Sequence, residues 1–233
     1  MNAYAKIAVL STIFAVPIPS VTGAAEVPGQ PPSATTNSVV LPELSAPRST
    51  IWEGGVVGNG FVGSAQNLTV EAGAAAGMAS LGSHEAHDLA LLSASYGHML
   101  GGVQGRDHWY RGNFEGRLEL FGGMQFHPDV DTDGWLVGLT PHLRYNFATG
   151  TRLVPFFDLG AGVTAMGIGP PDVSGTFEFN LQASAGVHWF LRDNLALTSE
   201  VRYIHFSCAG LHAPNLGINT ATFMLGVTWF FGK

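Results

Sequence analysis

From residue 66 to the end of the chain, apolar and polar residues alternate with a period of two, and the large charges fall only on the polar side. Successive side chains of a strand point to opposite faces, so this pattern requires strands with one greasy and one polar face. The last segment shows it most clearly. Ala221, Phe223, Leu225, Val227, Trp229 and Phe231 share one face, and Thr220, Thr222, Gly226 and Thr228 share the other. In 175–190, Phe177, Phe179, Leu181, Val187 and Trp189 oppose Glu178, Asn180, Gln182, Ser184 and His188. In 134–147, Trp135, Val137, Leu139, Leu143, Tyr145 and Phe147 oppose His142, Arg144 and Asn146. In 113–125, Leu118, Leu120 and Met124 oppose Glu115, Arg117, Glu119 and Gln125. Segments 66–78, 88–100, 152–165 and 194–207 bring the set to eight.

A soluble sandwich alternates too, but three features favour a membrane barrel. The polar sides carry ionisable groups of both signs: Glu71, Glu115, Arg117, Glu119, Arg144, Asp158, Glu178, Glu200 and Arg202. A small barrel can bury these as a paired network, while its apolar sides must face something greasy. Trp135, Tyr145, Phe147, Trp189, Trp229 and Phe231 sit near segment ends, as an interfacial girdle does. The segments also exceed the usual globular strand of about 5–6 residues and cross a membrane with margin when tilted. The expected fold is all-β, an eight-stranded antiparallel transmembrane β-barrel over residues 51–233. Composition agrees. The chain of 233 residues has 31 Gly, 46% hydrophobic and only 12% charged residues, with no apolar run long enough for a membrane helix. A net charge of −7 without a basic run argues against nucleic acid as a partner. The single cysteine, Cys208, excludes an intramolecular disulfide and a Cys-based zinc cage.

Residues 1–25 read as a secretory signal: Lys6 in the n-region, an apolar core from Ile7 to Val16, then small residues ending in Gly23, Ala24 and Ala25. Residues 26–50, with Pro28, Pro31, Pro32, Pro42 and Pro47, read as an extended linker. The expected compartment is the outer membrane of a Gram-negative-type envelope. Eight strands put both termini on the periplasmic side. The short connections 148–151 and 191–194 are then periplasmic, and 79–87, 126–133, 166–174 and 208–219 extracellular. The 101–112 connection is too long for a tight periplasmic turn, and the sequence gives no reason for it. Inside the barrel, Arg202 is expected beside acidic partners, with Glu178 and Glu200 as candidates.

Three local patterns suggest chemistry that their context rejects. Asp129-Val130-Asp131-Thr132-Asp133-Gly134 resembles the start of a calcium loop, but position twelve of that frame is Thr140, not Glu. His84-Glu85-Ala86-His87-Asp88 lacks the His-Glu-x-x-His spacing of a zinc helix. Gly160-Ala161-Gly162-Val163-Thr164-Ala165 matches a dinucleotide fingerprint only superficially, since no helix follows it. The sharper feature is His205-Phe206-Ser207. His205 and Ser207 leave one strand face, shared with Leu195, Leu197, Val201 and Tyr203, which read as lipid-facing. Two polar groups on a greasy wall are costly for a purely structural barrel, and they suit a substrate that is itself an outer-leaflet lipid. Cys208 leaves on the opposite face and reads as a small buried residue.

His205-x-Ser207-x-Ala209-Gly210, then Pro214-Asn215-x-Gly217-x-Asn219, then a final Gly-containing strand ending in aromatics, resembles the lipid A 3-O-deacylase family. Leu143-Arg144-Tyr145-Asn146-Phe147, Pro155-Phe156 and Glu200-Val201-Arg202-Tyr203 fit the same likeness, which covers roughly residues 110–232. The resemblance implies an eight-stranded barrel that removes the ester-linked acyl chain at the 3 position of lipid A. By resemblance Ser207 matches the nucleophile and His205 the general base. Two positions depart from the family. An Asn linked to the oxyanion hole commonly follows the Ser, where this chain has Cys208. An acidic third member stands at the place of Asn219. Asn can orient a His but supplies no charge to the imidazolium, so the two departures imply a lowered or a lost activity.

The expected reading is an outer-membrane serine esterase with Ser207, His205 and Asn219 as its triad and the backbone N–H groups of Cys208, Ala209 and Gly210 as oxyanion donors. Lipopolysaccharide is the expected partner, and no metal or organic cofactor is implied. The sequence leaves homodimer formation open. The alternative is a non-enzymatic small barrel with a structural or ligand-binding role.

Overall fold

The computed structural model describes residues 51–80, 83, 86–126, 134–169, 172, 173 and 175–232. The leader expected over 1–25 and the linker over 26–50 lie outside the described residues. So do His84, Glu85 and residues 129–133 of the acidic turn.

Each alternating segment is a strand: β1 (Gln66–Gly77), β2 (Leu89–Met99), β3 (Gly112–Gln125), β4 (Trp135–Phe147), β5 (Leu153–Met166), β6 (Phe177–Arg192), β7 (Leu195–Ser207) and β8 (Ile218–Phe231). Every neighbouring pair is antiparallel, and β1 pairs β8 from Gln66↔Phe231 to Gly77↔Thr220, which closes the barrel. Closure removes both sheet edges, so each strand has a neighbour on either side. The structure is the expected transmembrane β-barrel. The Gly160–Ala165 stretch lies inside β5.

The two faces separate as the alternation requires. Leu92, Leu120, Phe157, Leu159, Val201 and Val227 lie exposed on the outer wall, a belt suited to lipid. Rings cluster on it near the end bearing the short turns: Tyr145 meets Phe114 at 4.8 Å and Phe147 at 5.1 Å between centroids. Inside, the charges pair. Arg202 on β7 meets Glu119 on β3 through Nη1–Oε2 at 2.9 Å and Nη2–Oε1 at 3.0 Å. Arg202 also donates to Glu200. Arg117 reaches Asp158 at 2.9 Å and Glu119 at 2.9 Å, and Arg144 reaches Asp158 at 2.8 Å and Glu200 at 3.2 Å. Glu178, the other expected partner of Arg202, is not one. It stands opposite Thr164, while Arg202 stands opposite Ser184, six positions further along β6. At about 3.3 Å per residue that is roughly 20 Å.

The charged layer lies between two apolar ones. At the end bearing the long loops, Leu89, Phe121, Leu136, Met166, Ile204, Phe206 and Ile218 fill the interior. At the turn end, residues 51–65 enter the barrel mouth. Phe61 stacks on Trp52 at 4.6 Å and on Phe230 at 4.9 Å, and Trp52 meets Phe190 edge-on at 4.7 Å. This plug explains the long 101–112 connection, which clasps it. Asn113 Nδ2 donates to the Phe61 carbonyl at 2.9 Å and its Oδ1 accepts the Phe61 N–H at 2.8 Å. Arg111 Nη2 donates to the Asn59 carbonyl at 2.6 Å. Gly60 is required here: it has φ +96°, and a Cβ would stand 2.3 Å from Val103 Cγ2.

Candidate active site on the outer wall

The last turns of β7 and the first of β8 carry the expected residues. β8 begins at Ile218, so Asn219 lies in a strand and not in a 208–219 loop, and the register sets it directly opposite His205. Tyr203, His205 and Ser207 follow one another on the outward face of β7, each half-buried. His205 Nδ1 and Asn219 Oδ1 are 2.8 Å apart. The Tyr203 hydroxyl donates to the same Oδ1 at 2.6 Å.

Asn219 also faces outward, yet it is only 1% exposed. Residues 78–80 run on past the end of β1 and cover it. The Met78 N–H donates to the Asn219 carbonyl at 2.8 Å, and Asn219 Nδ2 donates to the Ser80 carbonyl at 2.7 Å. Among the described residues, His205 Nε2 and Ser207 Oγ have no hydrogen-bond partner. Hydrogen bonds between catalytic groups often tighten only when substrate is bound.

The turn after Ser207 is tightly built. Ala209 has φ 53° and Gly210 φ 81°, two left-handed residues in succession. That region costs a residue with a Cβ about 1–2 kcal/mol, so the turn holds Ala209 there against its preference. Asn215 Oδ1 accepts the Cys208 N–H at 3.0 Å. In this structure, therefore, the Cys208 N–H, one of the three expected oxyanion donors, is already bonded to a side chain. Cys208 itself is buried. Gly217 has φ +80°, and a Cβ there would lie 2.8 Å from His205 Cε1, so only glycine lets the chain pass the imidazole on its way into β8.

Two further loops converge on this end. The Leu216 and Gly217 N–H groups both donate to the Asp172 carbonyl at 3.0 Å. The Asp172 carboxylate meets His87 Nε2 at 3.1 Å, and His87 Nδ1 lies 3.2 Å from Gln125 Oε1. Thus His87, a member of the His84–Asp88 pattern, ties the β1–β2 loop to the β5–β6 loop. Beside Ser207 an apolar groove of about 450 Å³ runs along the outer wall between Ala161, Val163, Phe179, Leu181 and Ala209.

The sequence names Tyr203 and Asn215 in its patterns without giving either a role at the site, and it does not point to Ser80. Tyr203 had a signal in its place two residues before His205 on one strand face, and Asn215 in the Pro214-Asn215-x-Gly217 pattern. What each loop residue touches depends on a chain path that no periodicity encodes.

A closed eight-stranded barrel with a charged interior, an apolar outer wall and a polar cluster at one rim is a small outer-membrane barrel. A family model described as lipid A 3-O-deacylase (PagL) matches residues 90–228, more than half of the chain. The chain belongs to that family. Among solved structures it is similar to the outer membrane enzyme PagL, at 21% identity, covering 68% of this chain and 97% of that one with a TM-score of 0.52. It is also similar to Neisserial surface protein A, at 17% identity, covering 72% of this chain and 97% of that one with a TM-score of 0.53. At these identities the two structures speak for the fold alone. No curated protein matches the chain.

Proposed function

We propose that this protein is an outer-membrane serine esterase that removes the 3-linked acyl chain of lipid A. The observation that carries the reading is the 2.8 Å pairing of His205 Nδ1 with Asn219 Oδ1, on the lipid-facing wall and two residues from Ser207. Family membership supplies the substrate class. Residues 1–25 are removed on export, and the loops that meet above the site face outward.

In this reading lipid A approaches sideways from the outer leaflet, with the scissile acyl chain along the Ala161–Phe179–Leu181 groove. Ser207 Oγ attacks the ester carbonyl carbon, and its proton passes to His205 Nε2. The N–H groups of Ala209 and Gly210 stabilise the developing oxyanion. Collapse breaks the bond to the 3-oxygen of the sugar, which leaves with the proton from His205. Water then attacks the acyl-Ser207 ester, again giving its proton to His205, and the free fatty acid departs. Asn219 orients the imidazole throughout but carries no charge to offset the imidazolium. Turnover below that of a Ser-His-acid site follows.

The test is release of a 3-hydroxy fatty acid from purified lipid A by refolded protein in detergent. Wild type releases it, Ser207→Ala does not, and both fold as barrels.

A further inference from the structure

We propose that Tyr203 is a positioning residue of this site, and that with the Ser80 carbonyl it clamps Asn219 so that His205 is held in its Nδ1–H tautomer. The consequence for turnover rests on the serine-esterase reading; the tautomer itself does not.

A main-chain carbonyl only accepts hydrogen bonds, whereas a phenol and a neutral imidazole nitrogen can each donate or accept. Asn219 touches all three: Ser80 O at 2.7 Å, Tyr203 Oη at 2.6 Å and His205 Nδ1 at 2.8 Å. With the amide turned over, Oδ1 would face the Ser80 carbonyl at that 2.7 Å, two acceptors in contact. The Ser80 carbonyl therefore breaks the degeneracy. Nδ2 must point to Ser80, and Oδ1 must point to the other two, which must then both donate.

Two consequences follow. His205 carries its proton on Nδ1, which leaves the Nε2 lone pair as the site that can take a proton from Ser207. Tyr203 is the second donor on Oδ1. Asn219 is 1% exposed, so losing that donor leaves a buried acceptor one hydrogen bond short. The three-way pattern of two donors on Oδ1 and one acceptor on Nδ2 complements a neutral amide. A carboxylate would set a lone pair against the Ser80 carbonyl. Asn219 is in this sense matched to its surroundings, although the family has an acid at its place. Its cover is held by main chain, through the Met78 N–H on the Asn219 carbonyl at 2.8 Å.

The competing account makes Tyr203 an aromatic of the membrane interface, with its hydroxyl incidental. Tyr203→Phe separates the two, because it keeps the ring. The probe is ¹⁵N NMR of the full barrel in detergent with labelled histidine, the His205 signals identified by their loss in His205→Gln, alongside lipid A turnover. In wild type the Nδ1–H tautomer of neutral His205 dominates. In Tyr203→Phe the other tautomer becomes detectable, and kcat falls about 5- to 20-fold with KM within twofold. An unchanged tautomer ratio and unchanged kcat in Tyr203→Phe overturn the clamp, while wild-type activity leaves the esterase reading standing. A shifted ratio in a protein that releases no fatty acid supports the clamp and removes the esterase reading.

Discussion

Arg202 on β7 and Glu119 on β3 grip each other across the full width of the barrel, through two N–H···O bonds of 2.9 and 3.0 Å. The two strands are four apart in a ring of eight, so this pair spans the lumen and ties opposite walls. Both side chains are almost fully buried. Buried pairs of this kind add little net stability over apolar packing, but removing one partner strands a charge in a medium that cannot solvate it.

Arg202→Ala is therefore expected to cost about 3 to 5 kcal/mol, because it leaves both Glu119 and Glu200 without that cation. Urea titration of the refolded barrel in lipid vesicles measures it. Adding Glu119→Gln to Arg202→Ala should recover part of the loss. A midpoint indifferent to Arg202→Ala would contradict the assigned interior network.

Asn113 acts like a short piece of strand, pairing with both backbone groups of Phe61. Asn113→Ala leaves that N–H and C=O buried and unpaired, at about 1–3 kcal/mol each. Hydrogen exchange over residues 51–65 should quicken markedly while the strands keep their protection. Equal protection in both proteins would mean that the Trp52–Phe61–Phe230 stack alone holds the plug.

Asn219→Asp tests whether a missing negative charge limits the site. A carboxylate would meet the Ser80 carbonyl, so the added charge is opposed where it is placed, and turnover should stay at or below wild type. A rise of about tenfold in kcat on lipid A would show instead that charge on the third residue is what the site lacks.

The barrel was legible because its signal is local. Period-two alternation needs no knowledge of neighbours, and charges such as Arg117, Glu119 and Arg144 on one face announce a closed interior. Partner choice inside was not legible. Glu178 and Glu119 both lie on inward faces, and only strand stagger puts the second beside Arg202 and the first roughly 20 Å along the wall. The 101–112 connection had no explanation because its reason lies in residues 51–65, which show no alternation. At the site, the His205–Ser207 spacing was readable along one strand. The cover of Asn219 by Ser80 was not, since it depends on where β1 ends and how its chain continues. The bond from the Cys208 N–H to Asn215, seven residues on, depends on the path of the loop and was not legible either.

The proposed chemistry stands or falls with Ser207 as the nucleophile of a lipid A esterase. The direct measurement is mass spectrometry of purified lipid A incubated with refolded wild-type protein and with Ser207→Ala, both verified as folded barrels by circular dichroism. Wild type should remove one 3-linked hydroxy fatty acid, and the rate should fall on the order of 10³-fold or more in Ser207→Ala, with His205→Ala nearly as low because the two residues act as a unit. Lipid A left intact by the wild type over many hours, or cleaved equally by Ser207→Ala, would contradict it.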